Sequence, residues 1–340
     1  MKPFFKICDR LVSISGIAIS LLAALSIASP VHAFAVSPVL FDITADPSTK
    51  QQGVIHVTND TNTEQTYYAA VQNFVPHGEE GQQSFMPETD TSGLVTWLTL
   101  EETSVKLKVG ESKDFRWALQ LPPNAEPGGH YAAIFFSTIP PRSIADTGVG
   151  VGAKTGVLFL VNVNGNIKES AAVESFYVAS AETNGQPGAP VSFVSHLPTY
   201  FETRIRNDGN VHFVPRGSIK ITGMFGSASG EIPVNPANSR VLPNSIRRIV
   251  SEWGPQMDEP KMLWDDIRAE WTGFAFGRYT AHLNGTYGRG DTPLTSTVTF
   301  WVIPWRLMIL AVLAIILLLC VLKGYNRMVI RSAMIKGTKK

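Results

Sequence analysis

Between residues 34 and 302, apolar and polar positions alternate with period two. Phe115, Trp117, Leu119 and Leu121 interleave with Asp114, Arg116, Ala118 and Gln120; Val105, Leu107 and Val109 interleave with Lys106 and Lys108. Phe201, Thr203 and Ile205 interleave with Glu202, Arg204 and Arg206. Tyr279, Ala281, Leu283 and Tyr287 share one parity, as do Leu294, Val298 and Phe300. Alternation over such short runs predicts half-buried antiparallel strands. Asn59-Asp60, Gly110-Glu111, Pro122-Pro123-Asn124, Asn207-Asp208-Gly209-Asn210 and Leu242-Pro243-Asn244 punctuate them as turns. Many short strands between such turns predict β-sandwiches. The best helical stretch inside this region is short, about 259–269.

The two ends break the alternation. Residues 1–33 have the form of a signal peptide. Lys2, Lys6 and Arg10 precede an apolar stretch from Leu11 to Ala28, and Val31-His32-Ala33 places small residues at −3 and −1 of a cleavage point between Ala33 and Phe34. Leu307 to Leu322 is an unbroken apolar run; taken back to Ile303 it predicts a transmembrane helix over 303–322. Trp301, Trp305 and Arg306 border it on one side as interfacial anchors, with Arg306 free to snorkel outward. Lys323 and Arg327 border it on the other, opening a basic tail, 323–340, that contains no acid. That charge asymmetry predicts a single-pass protein of the cell membrane, with its C-terminus cytoplasmic and its N-terminus extracytoplasmic.

Composition sharpens the picture. The chain has 340 residues and a formal net charge of +1, yet residues 34–302 hold 19 Lys and Arg against 27 Asp and Glu. A net −8 gives no electrostatic footprint for nucleic acid. Cys8 and Cys320 both fall outside this region, which excludes a disulfide framework, a thiol enzyme and a Cys-ligated zinc site within it.

The pattern also repeats. Asn59-Asp60 ends one strand and Gly129-His130-Tyr131-Ala132-Ala133 opens another 70 residues after Asn59; Asn207-Asp208 and Gly277-Arg278-Tyr279-Thr280-Ala281 stand in the same order and at the same separation. This predicts an all-β protein with two tandem immunoglobulin-like sandwiches, 34–165 and 166–302. A Gly-x-Tyr strand start resembles the tyrosine-corner strand of such domains, so Tyr131 and Tyr279 are expected to put their rings in the cores and their hydroxyls on nearby backbone. Residues 139–153, with Gly148-Val149-Gly150-Val151-Gly152, read as a surface loop between strands rather than a phosphate cradle, which must open a helix.

Catalytic signatures are lacking. There is no HExxH, P-loop or nucleophile elbow; Gly226-Ser227-Ala228-Ser229-Gly230 has its serine at the wrong position. His56, His77, His130, His196, His212 and His282 show no pair at metal-ligand spacing, and the acids at Asp258-Glu259 and Asp265-Asp266 lack the dense loop of a calcium site. The sequence thus points to a non-enzyme with no cofactor. Trp97, Trp117, Trp253, Trp264 and Trp271 are candidates for a carbohydrate or protein face, with Trp117 on the apolar parity of its strand.

Ala35-Val36-Ser37-Pro38-Val39-Leu40-Phe41, followed by Val54-Ile55-His56-Val57-Thr58-Asn59-Asp60, resembles the first two strands of periplasmic pilus chaperones. The whole plan is similar to bacterial WxL-interacting cell-surface proteins, with Gly128-Gly129-His130-Tyr131-Ala132-Ala133-Ile134-Phe135-Phe136 similar to the strand closing their first domain. Asn207-Asp208-Gly209-Asn210-Val211-His212 and Pro215-Arg216-Gly217 resemble the start of the second domain in related anchored proteins. The resemblance implies an anchored envelope protein that binds peptidoglycan, another wall polymer or a surface protein through its sandwiches. The alternative is an anchored assembly chaperone that completes a partner's fold by strand addition. An open strand edge beside the 139–153 loop would favour the chaperone; a Trp-lined concave face would favour the polymer binder.

Overall fold

The computed structural model describes residues 34–87, 89–140, 154–180, 188–224, 226–255 and 262–337. The signal-peptide expectation for 1–33, the acids Asp258 and Glu259, and nearly all of the 139–153 loop lie outside the described residues.

The first sandwich pairs two sheets. One contains β1 (Ala35–Ser37), β3 (Lys50–Thr58), β8 (Ser112–Gln120) and β6 (Leu98–Leu100), in the order β1-β3-β8-β6. The other contains β2 (Leu40–Ala45), β10 (Lys154–Val163), β9 (Gly128–Ser137), β4 (Gln65–His77) and β5 (Gln82–Phe85), in the order β2-β10-β9-β4-β5, with β7 (Ser104–Leu107) also on β4. A one-turn helix, α1 (Leu94–Trp97), packs at its side. The chain therefore starts in one sheet and crosses to the other, where β2 runs parallel to β10.

The second sandwich repeats the plan. β11 (Ala171–Ala179), β13 (Thr199–Asn207) and β16 (Ser245–Trp253) form one sheet. β12 (Phe193–Val194), β18 (Thr292–Val302), β17 (Gly277–Tyr287), β14 (Arg216–Thr222) and β15 (Ala228–Pro233) form the other, in that order, with β12 again parallel to β18. Each pair of sheets closes over its own core. Ile55, Phe115, Trp117, Leu119, Ile134, Phe136 and Phe159 fill the first; Phe201, Ile205, Ile219, Ala281, Leu283 and Phe300 fill the second. Phe115, Trp117, Leu119, Phe201, Ile205, Ala281, Leu283 and Phe300 are positions that the alternation places inside, and each large aliphatic or phenyl side chain among the core residues is worth roughly 2 kcal/mol of transfer free energy. Val109 departs from it: β7 ends at Leu107, and Val109 is exposed in the following turn.

The strongest internal repeat is the corner at the two asparagines, which are 0% and 1% exposed. Asn59 donates through Nδ2 to the carbonyls of Thr63 and Leu107, and Asn207 donates to those of Val211 and Val241. Each Oδ1 accepts the backbone N–H two residues on, from Thr61 and Gly209. Each backbone carbonyl accepts an N–H from a positive-φ turn residue, Gly110 or Asn244. A buried amide satisfied in this way pins a strand end to the next strand's turn, which is why the Asn-Asp pairs recur.

The tyrosine half of the sequence repeat is corrected by the structure. On β9 the core residues are Ala132, Ile134 and Phe136, so Tyr131 faces away from the core, and its hydroxyl meets His212 Nδ1 of the second sandwich at 3.3 Å. On β17 the core parity is odd, so Tyr279 packs against the core, stacked near Phe300, and its hydroxyl makes no hydrogen bond among the described residues. The two motifs are one residue out of phase, and in a strand that exchanges the faces. The tyrosines that do tie their hydroxyls locally are Tyr67, which donates to Asn59 Oδ1 at 2.8 Å, and Tyr287, which accepts the Ala171 N–H at 3.0 Å.

Two further helices complete the chain: α2 (Leu263–Thr272) and α3 (Trp305–Gly337). α3 starts two residues after the expected span and runs on through the basic residues. Within Trp305–Met328 an 18-residue window has a mean hydropathy of 2.9 and no residue buried against the rest of the protein, as suits a single membrane-spanning helix.

Candidate functional site

The β9 sheet of the first sandwich is apolar on both faces. Ala132-Ala133-Ile134-Phe135-Phe136 has no polar break, so while even positions fill the core, Tyr131, Ala133 and Phe135 line the outer face. β10 adds Leu158 and Leu160, β4 adds Phe74, and β2 adds Leu40. Phe85 on β5 meets Phe74 and Phe135 edge-on, at 5.7 and 4.7 Å between ring centroids. Gly156 pairs with Phe135 across the strands, and a Cβ at Gly156 would fall 2.8 Å from that ring, so the bare backbone there is what lets the ring lie across it. Lys154 Nζ stands 4.0 Å over the Phe135 centroid and donates to Gln72 Oε1 at 3.0 Å.

One end of this face is covered by the second sandwich. Leu242 packs with Phe74, Ala133 and Leu160. Beside it, Asp42 on β2 takes hydrogen bonds from His212 Nε2 at 2.9 Å and Arg240 Nε at 2.7 Å. Partial burial works to raise the Asp42 pKa, but the hydrogen bonds from His212 and Arg240 outweigh it and bring the carboxyl down to about 2. Burial pushes the Tyr131 phenol up, against the bond to His212. The β4–β5 hairpin tip makes a second tie. Arg248 N–H donates to the Glu79 carbonyl at 2.9 Å, the Glu79 carboxylate takes a bidentate grip from Arg204, and Glu80 pairs with Arg248. The Arg204 bonds hold the Glu79 carboxyl below its usual range. Arg248 reaches inward to Glu202, which also accepts the Tyr177 hydroxyl; that phenol is pushed up to about 12 by burial and by the carboxylate beside it. A third tie joins Gly129 N–H to the Asn210 carbonyl at 2.7 Å.

At the other end of the face, no described strand covers the edge. β2 pairs with β10 only from Leu158 to Val163. Among the described residues no strand pairs with that edge of Lys154–Val157, although β9 covers their opposite edge. The Leu158 N–H donates to the Val39 carbonyl, so it points to the β2 side. By period two, the N–H and C=O groups of Gly156 and Lys154 point the same way, toward no described strand. An open backbone edge beside an apolar, aromatic face offers both elements of strand recognition: main-chain bonds for affinity and side-chain contacts for selectivity.

The tryptophans do not assemble a common concave face. Trp117 and Trp253 are core residues. Trp97 sits edge-on to His130, with 4.6 Å between ring centroids. Trp264 and Trp271 are exposed on α2, far along the chain from the open edge. Of the expected span anchors, Trp301 is exposed at the end of β18, and Trp305, Lys323 and Arg327 are exposed along α3. Arg306 does not snorkel: it turns back to Asp266 at 3.0 Å and Glu270 at 3.1 Å on α2. No group of three or more His, Cys, Asp or Glu side chains suited to a metal occurs among the described residues. The open edge was signalled in sequence only by the loop before Lys154. The outer apolar face was signalled by the unbroken run at 132–136, which alternation alone does not explain.

No protein-family model matches the chain, and no curated protein matches it in sequence. Solved structures resemble the chain at low identity and low TM-score. A class 5 fimbriae chaperone, CfaA, is 14% identical, with 78% of this chain and 98% of that chain covered and a TM-score of 0.36. The E. coli chaperone DraB is 11% identical, with 79% and 97% covered and a TM-score of 0.31. The Pseudomonas aeruginosa CupB2 chaperone is 8% identical, with 79% and 100% covered and a TM-score of 0.31.

Proposed function

We propose that this chain is a membrane-anchored binding protein of the cell envelope that takes an extended segment of an exported protein onto the open edge of β10, in the manner of an assembly chaperone acting by strand addition. The observation that carries the reading is the unpaired edge of Lys154–Val157 above the outer face formed by Phe135, Leu158, Leu40 and Phe85. Hidden backbone groups and apolar side chains of an unfinished partner would exchange water for this edge and this face, with no covalent step. The second sandwich holds the first through Asp42, Glu79 and Glu80 and joins it to the span. With basic residues following the apolar run at Lys323, Arg327, Arg331 and Lys336, the sandwiches stand on the extracytoplasmic side. The wall-polymer reading has less support, because the tryptophans it calls on lie in cores or at the span.

The test is site-specific photocross-linking in cells. A benzophenone side chain at Leu158 should give adducts with an extended segment of an exported protein, whereas one at Thr297, on the outer face of the second sandwich, should give few. Lys154→Pro removes an N–H aimed at the open edge but none that β9 uses, at a strand-start position where proline is tolerated. It should lower the Leu158 adduct yield at least tenfold, which corresponds to about 1.4 kcal/mol, without lowering the melting temperature. Equal adduct yields at Leu158 and Thr297, or no response to Lys154→Pro, would overturn the proposal.

A further inference from the structure

The membrane-side end of the second sandwich exposes large apolar side chains from several separate stretches of chain. Trp264 is 74% exposed and Trp271 75%, on α2; Phe274 and Phe276 follow at 62% and 57%. Met224, from the β14–β15 connection, is 52% exposed, and Trp301 at the end of β18 is 39% exposed. These belong to one end of the molecule. β18 ends at Val302, opposite Gly277, and α3 begins three residues later. Met224 lies beside Gly277.

α2 is built to lie at this level. Trp264, Arg268 and Trp271 recur at i, i+4 and i+7, so they form one outward stripe. Asp266 and Glu270, also four apart, form another stripe, turned to Arg306 in the first turn of α3. Glu270 is fully buried; its second oxygen accepts the Leu307 N–H at 2.9 Å. Leu307 is also where the unbroken apolar run begins. Asp266 and Glu270 are thus turned to the root of the span and Asp265 accepts the Met262 N–H at the start of α2, while the aromatic and basic stripe faces outward beside the boundary of the hydrocarbon.

We infer that α2 and the aromatic side chains around it form a collar that dips into the lipid–water interface of the leaflet the span enters. The inference rests on α3 crossing the membrane. Continuity with the span identifies lipid as the occupant: the same turn that enters the apolar run holds the helix that carries Trp264 and Trp271. Tryptophan rings favour the headgroup level, and a basic residue between two of them, Arg268, suits lipid phosphate. Scattered single apolar residues on a surface need no explanation, but a cluster of aromatic rings ringing a span root does.

The test uses the full chain in vesicles of phosphatidylcholine and phosphatidylglycerol, in a Cys8→Ser, Cys320→Ser background. Nitroxide labels are introduced one at a time by Trp264→Cys, Phe274→Cys, Leu313→Cys and Asp291→Cys, and depth is read by spin-label relaxation with oxygen and a nickel chelate. Leu313 is the span reference, and Asp291, at the turn before β18, is the aqueous one. Labels at 264 and 274 are expected between the two, near the headgroup level. Aqueous values at 264 and 274 with a buried label at 313 would overturn the collar and leave the span. An aqueous label at 313 would overturn the span and the collar together. Shielding of 264 and 274 from both relaxants, with dipolar broadening between labels, would show a second copy of the chain on this face and would also overturn the collar.

Discussion

The two sandwiches share strand order, a parallel edge pair and a corner asparagine, yet their corresponding outer faces are chemical opposites. On β9 and β10 the outer face carries Tyr131, Ala133, Phe135, Leu158 and Leu160; on β17 and β18 the equivalent face carries Arg278, Thr280, His282, Asn284, Thr295, Thr297 and Thr299. Topology alone demands one apolar face per sheet. The β17–β18 sheet of the second sandwich has one. The β9–β10 sheet of the first has two, and the additional one is partly covered by Leu242 and otherwise ends at an open strand edge. The comparison teaches that the fold is common property, whereas the surplus apolar face is not required by topology, and it is the surface on which the proposed binding rests.

The most forceful way to break this comparison is at the shared corner. Asn59→Ala orphans the Thr63, Leu107 and Lys108 carbonyls and removes the acceptor of Tyr67. At about 1 kcal/mol for each of the two buried bonds, to Leu107 and from Tyr67, and less for the part-buried ones, it should cost about 3 kcal/mol. Asn207→Ala, with bonds to Val211, Val241 and Gly209, should cost about 3 kcal/mol. Hydrogen exchange along the full chain in detergent should show the loss concentrated in the sandwich that carries the change. Costs below about 1 kcal/mol at both sites would mean that the corner repeat is decorative.

The joint between the two halves is sharpened by pH. Asp42 has its pKa lowered from 3.8 to about 2, so its bonds to His212 and Arg240 stabilise the joint fully above about pH 4. That contribution fades as pH falls toward 2. In Asp42→Asn the fade should be absent, and the joint should already be weaker at pH 7. With a third of the Asp42 side chain in water, the difference should be about 1 kcal/mol. Exchange rates of amides on β2 and β9, measured from pH 7 to 2 in both proteins, decide it; identical pH profiles would refute the role given to Asp42.

The smallest effect separates the two tyrosines. Tyr131→Phe loses one long bond to His212 across the joint and should cost about 0.5 kcal/mol. Tyr279→Phe should cost less than that, since its hydroxyl makes no hydrogen bond among the described residues. Melting of each variant against the parent chain, with a cost at Tyr279 larger than at Tyr131, would reverse the assignment of faces.

Much of the fold was legible in the sequence, because period-two alternation is dictated by burial and the cores follow it residue by residue. The corner asparagines were legible as turn residues, though not as buried amides, since burial of a polar group depends on carbonyls more than 30 residues away. Tyr131 was misplaced because strand parity is set by pairing partners, and a matching motif carries no parity of its own. The apolar outer face was present in the run Ala132–Phe136, where the absence of alternation left the outer positions unassigned. The open edge was signalled only indirectly, by the 139–153 loop before Lys154, because an edge is defined by where β2 stops pairing. Arg306 was read against the lipid alone, when its partners are contributed by a helix more than 30 residues earlier.

The join between β18 and α3 has a consequence for how the site finds its partner. Only Ile303 and Pro304 lie between the strand and the helix, and the Ile303 and Trp305 N–H groups are already bonded, to the Val194 and Ile303 carbonyls. A flexible linker would let the head sweep a hemisphere and would dilute it through that volume. A head mounted on its span without slack explores the membrane plane by lateral diffusion but holds its height. With β18 alone about 36 Å long, the strand-adding role proposed above would confine the receptive edge to a thin layer parallel to the bilayer, with a high effective concentration only for chains that pass through that layer.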